Sequence, residues 1–392
     1  VVISGRGAVA VLRAPQAVRV LLASQVGRLP LASAPLALLL FARQTMSIAM
    51  AGALVGGYTA GTAIGQPLLA RAADRWRQPP VLWAAVALST TGFAVTALRP
   101  APAVAVAAVV AAGVGAPPFE SCLRVLWRDL IGEQLLHTAY TLDVALQELI
   151  FIVGPLLALA GYGLDGARGG LVATAAGQLA GTILFATAPV VRRWRGDPAP
   201  RHWAGALRSG QLRLLLTATL MIGAAVGGTA VAVARYADAH GSRTLAGWLL
   251  AAQAAGALLG GLISIHRPPL DPRRGLPVTL GLLAAGYLPP LLASQPAGMA
   301  AALAISGLLL PAALTAVFIT ADQVAAPGTA AESFAWVATA FATGSAVGAV
   351  ADGALCQAVG GVVIGFLPAP LIIAVAGALL RLRQTGRHTT RD

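Results

Sequence analysis

The sequence predicts an all-α membrane protein, with twelve transmembrane helices in two six-helix bundles, and three observations lead there. Of the 392 residues, 57% are hydrophobic and 10% charged, with a mean hydropathy of +0.78, a balance that belongs to a chain immersed in lipid. Apolar runs long enough to cross a bilayer, ~20 residues each, recur from residue 18 almost to the C-terminus. The one long polar stretch, Arg192 to Gly210, is rich in Arg, Pro and Gly and splits the runs into two sets of six. The expected domains are therefore residues 1–191, a linker over 192–210, and residues 211–392.

The runs fall at 18–42, 46–70, 80–98, 102–124, 138–162, 169–191, 211–237, 243–265, 275–294, 297–320, 333–358 and 361–381. The second has Gly57, Gly61 and Gly65 four residues apart, the eighth Ala252, Gly256 and Gly260, and the eleventh Ala340, Gly344 and Gly348. Four-residue spacing puts each triplet on one helix face, where another backbone can approach closely. These faces are expected to be seams on which the two bundles slide, or ordinary packing faces within a bundle. Pro117 and Pro118 remove backbone donors near the end of the fourth run and should bend or break it.

Arginine placement tests the count. All 27 basic residues are arginine; 21 flank one side of the spans, five flank the other, and Arg28 lies inside the first. Basic excess marks the cytoplasmic side, so both termini and the linker are expected in the cytoplasm, as befits a multi-pass protein of the bacterial inner membrane. The net charge of +13 follows topology, which argues against a nucleic-acid partner. Arg6, Arg13 and Arg19 precede the first run without a convincing cleavage site, so that helix is expected to remain. Cys122 and Cys356 are far apart in apolar surroundings, and the five histidines lie at span ends or in loops. Neither pattern makes a disulfide framework, a metal site or a catalytic cluster, so the reading is of no enzyme, no metal and no cofactor.

Between the second and third runs, residues 66–79 read QPLLARAADRWRQP. The stretch resembles the loop Gly-x-x-x-Asp-Arg-x-Gly-Arg-Arg that transporters of the major facilitator superfamily carry at this place. Asp74 and Arg75 match, and Arg77 falls near a basic position; Ala70 and Arg77 stand where the glycines would be. The resemblance implies two rocking six-helix halves with a site at mid-membrane. It also implies that Asp74 sits at the positive N-terminal end of the eleventh span. Asp322 or Glu332 would then meet Arg75 or Arg77 to complete a cytoplasmic gate; solvated loop charges are the plainer alternative. Gly154 and Pro155 keep the end of the fifth-span pattern of drug exporters. No arginine stands in residues 103–116, where proton-coupled exporters carry one in the fourth span.

Ionisable groups deep in a span are expensive and so point to function. Arg28 and Glu148 each lie ~15 Å along their helices, with Gln147, Gln178 and Gln253 at similar depth. Arg28 shares a face with Ser24 and Gln25, which suits a water-filled cavity; it is expected to bind an anionic group of the substrate, or to pair structurally with Glu148. Gln25, Gln147, Gln178 and Gln253 complete the expected substrate contacts. Glu148 is the expected proton carrier, since a carboxyl in low dielectric takes up a proton more readily than in water. Asp143, one turn before Gln147, stands nearer the cytoplasmic mouth as a second coupling acid, and Glu120 and Arg124 are expected to pair along their helix. The functional expectation is a secondary transporter exporting a small amphipathic organic compound by proton antiport, acting as a monomer. Proton-coupled uptake of an organic anion on Arg28 is the alternative, and a non-transporting receptor or scaffold the remote one.

Overall fold

The structure is a computed structural model that describes residues 6–196, 202–265, 272–359 and 363–385. Regular structure among these residues is helical throughout. Span 1 is two helices in line, Ala17–Arg28 and Pro30–Thr45; span 2 is Ile48–Arg75 and span 3 Gln78–Ala97. Span 4 is again two pieces, Pro102–Val114 and Phe119–Ile131. The 51-residue stretch Leu136–Ala186 makes spans 5 and 6, turning back at Asp165 and Gly166, where Gly166 takes φ +55°. Gly161 and Gly169 face each other across this turn so closely that a methyl on either would strike the other's backbone. Spans 7 to 12 are Gly210–Ala239, Arg243–Ser264, Pro272–Gly286, Pro296–Val324, Ala330–Val359 and Pro368–Thr385.

Local chemistry sets these boundaries. Ser47 and Ser209 cap spans 2 and 7, accepting the amides of Met50 at 3.3 Å and Leu212 at 3.2 Å, as N-cap serines do. Spans 3, 4 and 10 open on proline, whose missing N–H costs nothing in a first turn. Two helices run further than hydropathy alone indicates, span 2 to Arg75 and span 4 to Ile131, so Asp74, Arg124 and Arg128 stand on rigid helix. An eight-residue helix, Arg6–Arg13, precedes span 1.

The first six spans pack on one another and so do the last six. Where the halves meet, their cores are unequal at the two ends. One buried apolar cluster spans both halves, joining Trp127 and Tyr140 of the first to Leu215, Phe318 and Phe334 of the second. It also takes in Val11, Trp194, Ala206 and Leu380, so the N-terminal helix, the linker and the end of span 12 share this basic end. At the far end the cores are separate: Phe41, Tyr58, Phe93 and Leu171 in one, Tyr236, Leu249, Leu303 and Phe366 in the other. The halves are joined at the basic end and parted at the far end.

The glycine faces correct the sliding-seam expectation. Gly61 and Gly65 press on the span 4 backbone at Val110 and Val114, Gly256 and Gly260 on span 10 at Ala304 and Leu308, and Gly344 and Gly348 on span 7 at Leu220 and Ala224. All three faces bind spans within one half. Spacing identifies a face that admits a backbone, whereas the partner is chosen by the tertiary fold. Between halves, span 5 meets span 8 where Ala145 fills the space over Gly261, and span 11 meets spans 2 and 4.

Candidate functional site

Both broken spans are in the first half, and the breaks place its charges. Span 1 is interrupted at Leu29–Pro30, leaving Arg28 in the last turn of its first piece. Span 4 unwinds over Gly115–Pro118, where the side-chain amide of Gln66 donates to the carbonyl of Ala116, freed from the helix, at 2.9 Å. The helix restarts at Phe119 with Glu120 in its first turn and Arg124 one turn on.

Those residues close a four-charge ring with Asp143 of span 5. Arg28 Nη1 donates to Asp143 Oδ1 at 2.9 Å and its Nη2 to Glu120 Oε2 at 3.1 Å. Arg124 Nη2 lies 3.0 Å from Asp143 Oδ2, and its Nη1 bonds Glu120 Oε1. Each arginine thus bridges both acids. Gln147 accepts from Arg28, and Gln25 donates to Asp143 at 3.1 Å. Arg124 and Asp143 have no solvent exposure. Desolvating four charges is costly, and only complete mutual pairing makes it tolerable. A contact reaches the ring from the other half: the Arg124 guanidinium carbon lies 3.3 Å from the centre of the Phe318 ring of span 10, within the range of cation–π attraction.

A second group of charges ties the halves at the basic end. Asp74 accepts the backbone N–H of Ala331 at 3.0 Å and of Glu332 at 2.8 Å, so its carboxylate closes the N-terminus of span 11. Asp322 of span 10 takes Nε and Nη2 of Arg128, at 3.0 and 2.7 Å. Glu332 faces Arg71 at 3.9 Å and Trp336 at 3.4 Å. Arg71 also holds the linker, donating to the carbonyls of Trp203 at 3.0 Å and His202 at 2.7 Å.

Several expected partners are therefore replaced. Arg28 pairs with Asp143 and Glu120, not with Glu148, because equal depth does not mean an equal face: Glu148 is about 140° round the helix from Asp143. Glu148 lies half-buried and, among the described residues, forms no ion pair or side-chain hydrogen bond; on its helix it falls between the ring face and the Ala145 contact with span 8. Asp322 and Glu332 meet Arg128 and Arg71 in place of Arg75 and Arg77. The reason is the extra helix: span 4 carries Arg128 one turn past Arg124, and span 2 sets Arg71 one turn before Asp74. Arg75 instead lies over the Trp76 ring at 5.8 Å, and Arg77 donates to the Arg192 carbonyl at 2.9 Å. Gln178 is buried within the first half, and Gln253 donates to Ser306 at 3.3 Å within the second. Sequence reasoning gave Glu120 and Arg124 only a local pairing and passed over Arg71 and Phe318. The acid and base one turn apart, directly after a double proline, were the available signal. Among the described residues no group of three or more His, Cys, Asp or Glu is placed to hold a metal.

The family model described as Major Facilitator Superfamily matches residues 29–349. A search of curated proteins finds no significant match. Among solved structures, a bacterial homologue of the iron transporter ferroportin in an outward-facing state has a TM-score of 0.76 at 13% identity, covering 94% of this chain and 99% of that one. The E. coli fucose:proton symporter FucP gives 0.72 at 14%, covering 94% and 98%. The human organic anion transporter MFSD10 (TETRAN) gives 0.68 at 15%, covering 93% and 98%. At these identities the likeness is one of fold.

Proposed function

The chain belongs to the major facilitator superfamily, and from that premise we propose that this secondary transporter exports a small amphipathic organic compound in exchange for protons. The observation that carries the reading is the contrast between Glu148 and the ring. Both ring acids already have two arginines for partners, whereas Glu148, half-buried on span 5, has none among the described residues. Closing the far end would bury that carboxylate, and an uncompensated charge in low dielectric is heavily penalised. Either a proton or the polar, preferably cationic, end of a substrate would relieve the penalty. Two ligands that compete for one carboxylate, and of which one is needed for closure, give exchange by alternating access.

In this reading the basic end is cytoplasmic and the structure is open outward. Asp74, Asp322 with Arg128, and Glu332 with Arg71 form the cytoplasmic gate, while Gln147 and Gln25 hold the ring toward the substrate space. Sealed proteoliposomes test it. A pH gradient should drive a lipophilic dye cation against its own gradient, and Glu148→Gln should abolish that accumulation while leaving dye exchange. Full accumulation in Glu148→Gln overturns the assignment. The second reading, uptake of an organic anion, rests on Arg28: it requires the ring to open, and it predicts accumulation of a lipophilic dye anion that Arg28→Gln abolishes.

A further inference from the structure

Among the described residues the second half contains one buried acid, Asp352 of span 11, that neither the gate nor the ring uses. It is 3% exposed, and its Oδ1 has no hydrogen-bond partner. Its Oδ2 receives only the long thiol contact of Cys356, at 3.7 Å. No ion pair to it is formed among the described residues. The contrast with the ring is direct: there, two acids are each bonded to two arginines, and here a buried carboxyl has no arginine within ion-pair distance among the described residues.

Space lies beside it. A cavity of about 280 Å³ between spans 7, 11 and 12 is lined by Asp352, Thr229 and small residues that include Gly228, Gly348, Ala351 and Ala369. Thr229 spends its proton on the Ala225 carbonyl at 2.7 Å, so toward the cavity its hydroxyl is an acceptor. The two polar groups of the cavity are thus both acceptors, and the remaining wall is apolar. A ligand that fits must donate hydrogen bonds, balance one negative charge and fill an apolar space. At ~1.5 Å per residue, Asp352 stands ~10 Å from the far end of span 11, the end where the halves are parted.

We propose that the cavity between spans 7, 11 and 12 is a binding site for a small organic ammonium ion, its charged head on Asp352 and Thr229 and its short apolar tail against the glycine and alanine wall. The site lies inside the second half, apart from Glu148, and stands whether or not Glu148 carries the transported proton.

Butylammonium chloride is a sufficient probe, read by thermal unfolding of the purified protein in detergent, since a ligand of the folded state raises the melting temperature by mass action. The expected result is a saturable rise, with butanol and sodium chloride at equal concentrations giving none. Asp352→Asn should weaken half-saturation at least tenfold. Gly228→Ala is the second variant: its methyl would lie 3.4 Å from the Asp352 Cβ and 3.7 Å from its Cγ, ordinary contact that preserves the fold while narrowing the cavity beside the carboxyl. It should weaken butylammonium several-fold. No rise in the parent protein, an equal rise with sodium, or unchanged half-saturation in Gly228→Ala overturns the site; a carboxyl that merely holds a proton there gives the first of these.

Discussion

The two halves repeat one plan of six spans and treat its polar content in opposite ways. In the first, spans 1 and 4 are broken and their free ends converge with span 5 on two arginines, two acids and two glutamines. In the second, the corresponding spans 7 and 10 are unbroken over 30 and 29 residues. Breaking a helix frees backbone groups that lipid cannot satisfy, so breaks persist where buried polar partners justify them. On the proposed function, this difference makes the first half the responsive one and the second the stiffer body against which it moves. Phe318, pressed on Arg124, and the N-terminus of span 11, closed by Asp74, are where the stiff body senses the other.

The largest break in that comparison is Arg124→Leu. It leaves Glu120 and Asp143 sharing one arginine in a largely buried site, and removing one partner of a buried ion network costs about 3–5 kcal/mol. Gln253→Ala, its counterpart in the stiff half, loses one amide bond to Ser306 and should cost about 1 kcal/mol. Denaturant unfolding in detergent separates the two. Equal losses would mean that the halves are alike in where their stability is staked.

How much of this was readable beforehand differs between fold and site. The twelve spans were legible because apolar content per ~20 residues is a one-dimensional signal; their ends were less so, since charged turns such as Asp74 and Arg128 continue a helix that hydropathy ends early. Of the ring, Arg28 was found by depth, Asp143 and Gln147 by their shared face, and Glu120 with Arg124 by spacing. Their convergence was not legible, because it depends on two breaks that re-aim the helices. Depth alone led to the wrong partner for Arg28, and spacing alone to the wrong partners for the glycines. In a chain apolar on every face, periodicity has little contrast from which to read direction.

Asp74→Asn sharpens the comparison at the next level. The carboxylate offers one oxygen to each of two buried amides; the asparagine side chain has one acceptor and turns an N–H toward the other. An unsatisfied buried donor with the lost charge at a helix N-terminus amounts to about 2–3 kcal/mol. Because the tie joins the halves, the cost should appear as opening of the basic end. Cys122, buried in the shared core, reports it in a Cys356→Ser background, and its maleimide labelling should accelerate more than tenfold, since each 1.4 kcal/mol is a factor of ten. Unchanged labelling would make Asp74 a cap that span 11 can do without.

Phe318→Leu is the smallest change and the one that addresses coupling itself. Leucine keeps most of the apolar cover on Arg124 and removes the aromatic face, so the loss is the cation–π attraction less leucine's own contacts, about 1 kcal/mol net. The ring is complete without Phe318, since all four of its charges are paired within the first half. Global stability should therefore fall only slightly, while labelling of Cys122 rises about fivefold, as it would if the aromatic contact holds the basic end shut. Combining Phe318→Leu with Arg124→Leu distinguishes coupling from simple packing. If the contact is an interaction between halves, the two effects on labelling are less than additive, because the second substitution removes a partner already gone. Additive effects would show that the stiff half does not sense the ring through this residue, and would assign the coupling to the gate charges and the other contacts between the halves.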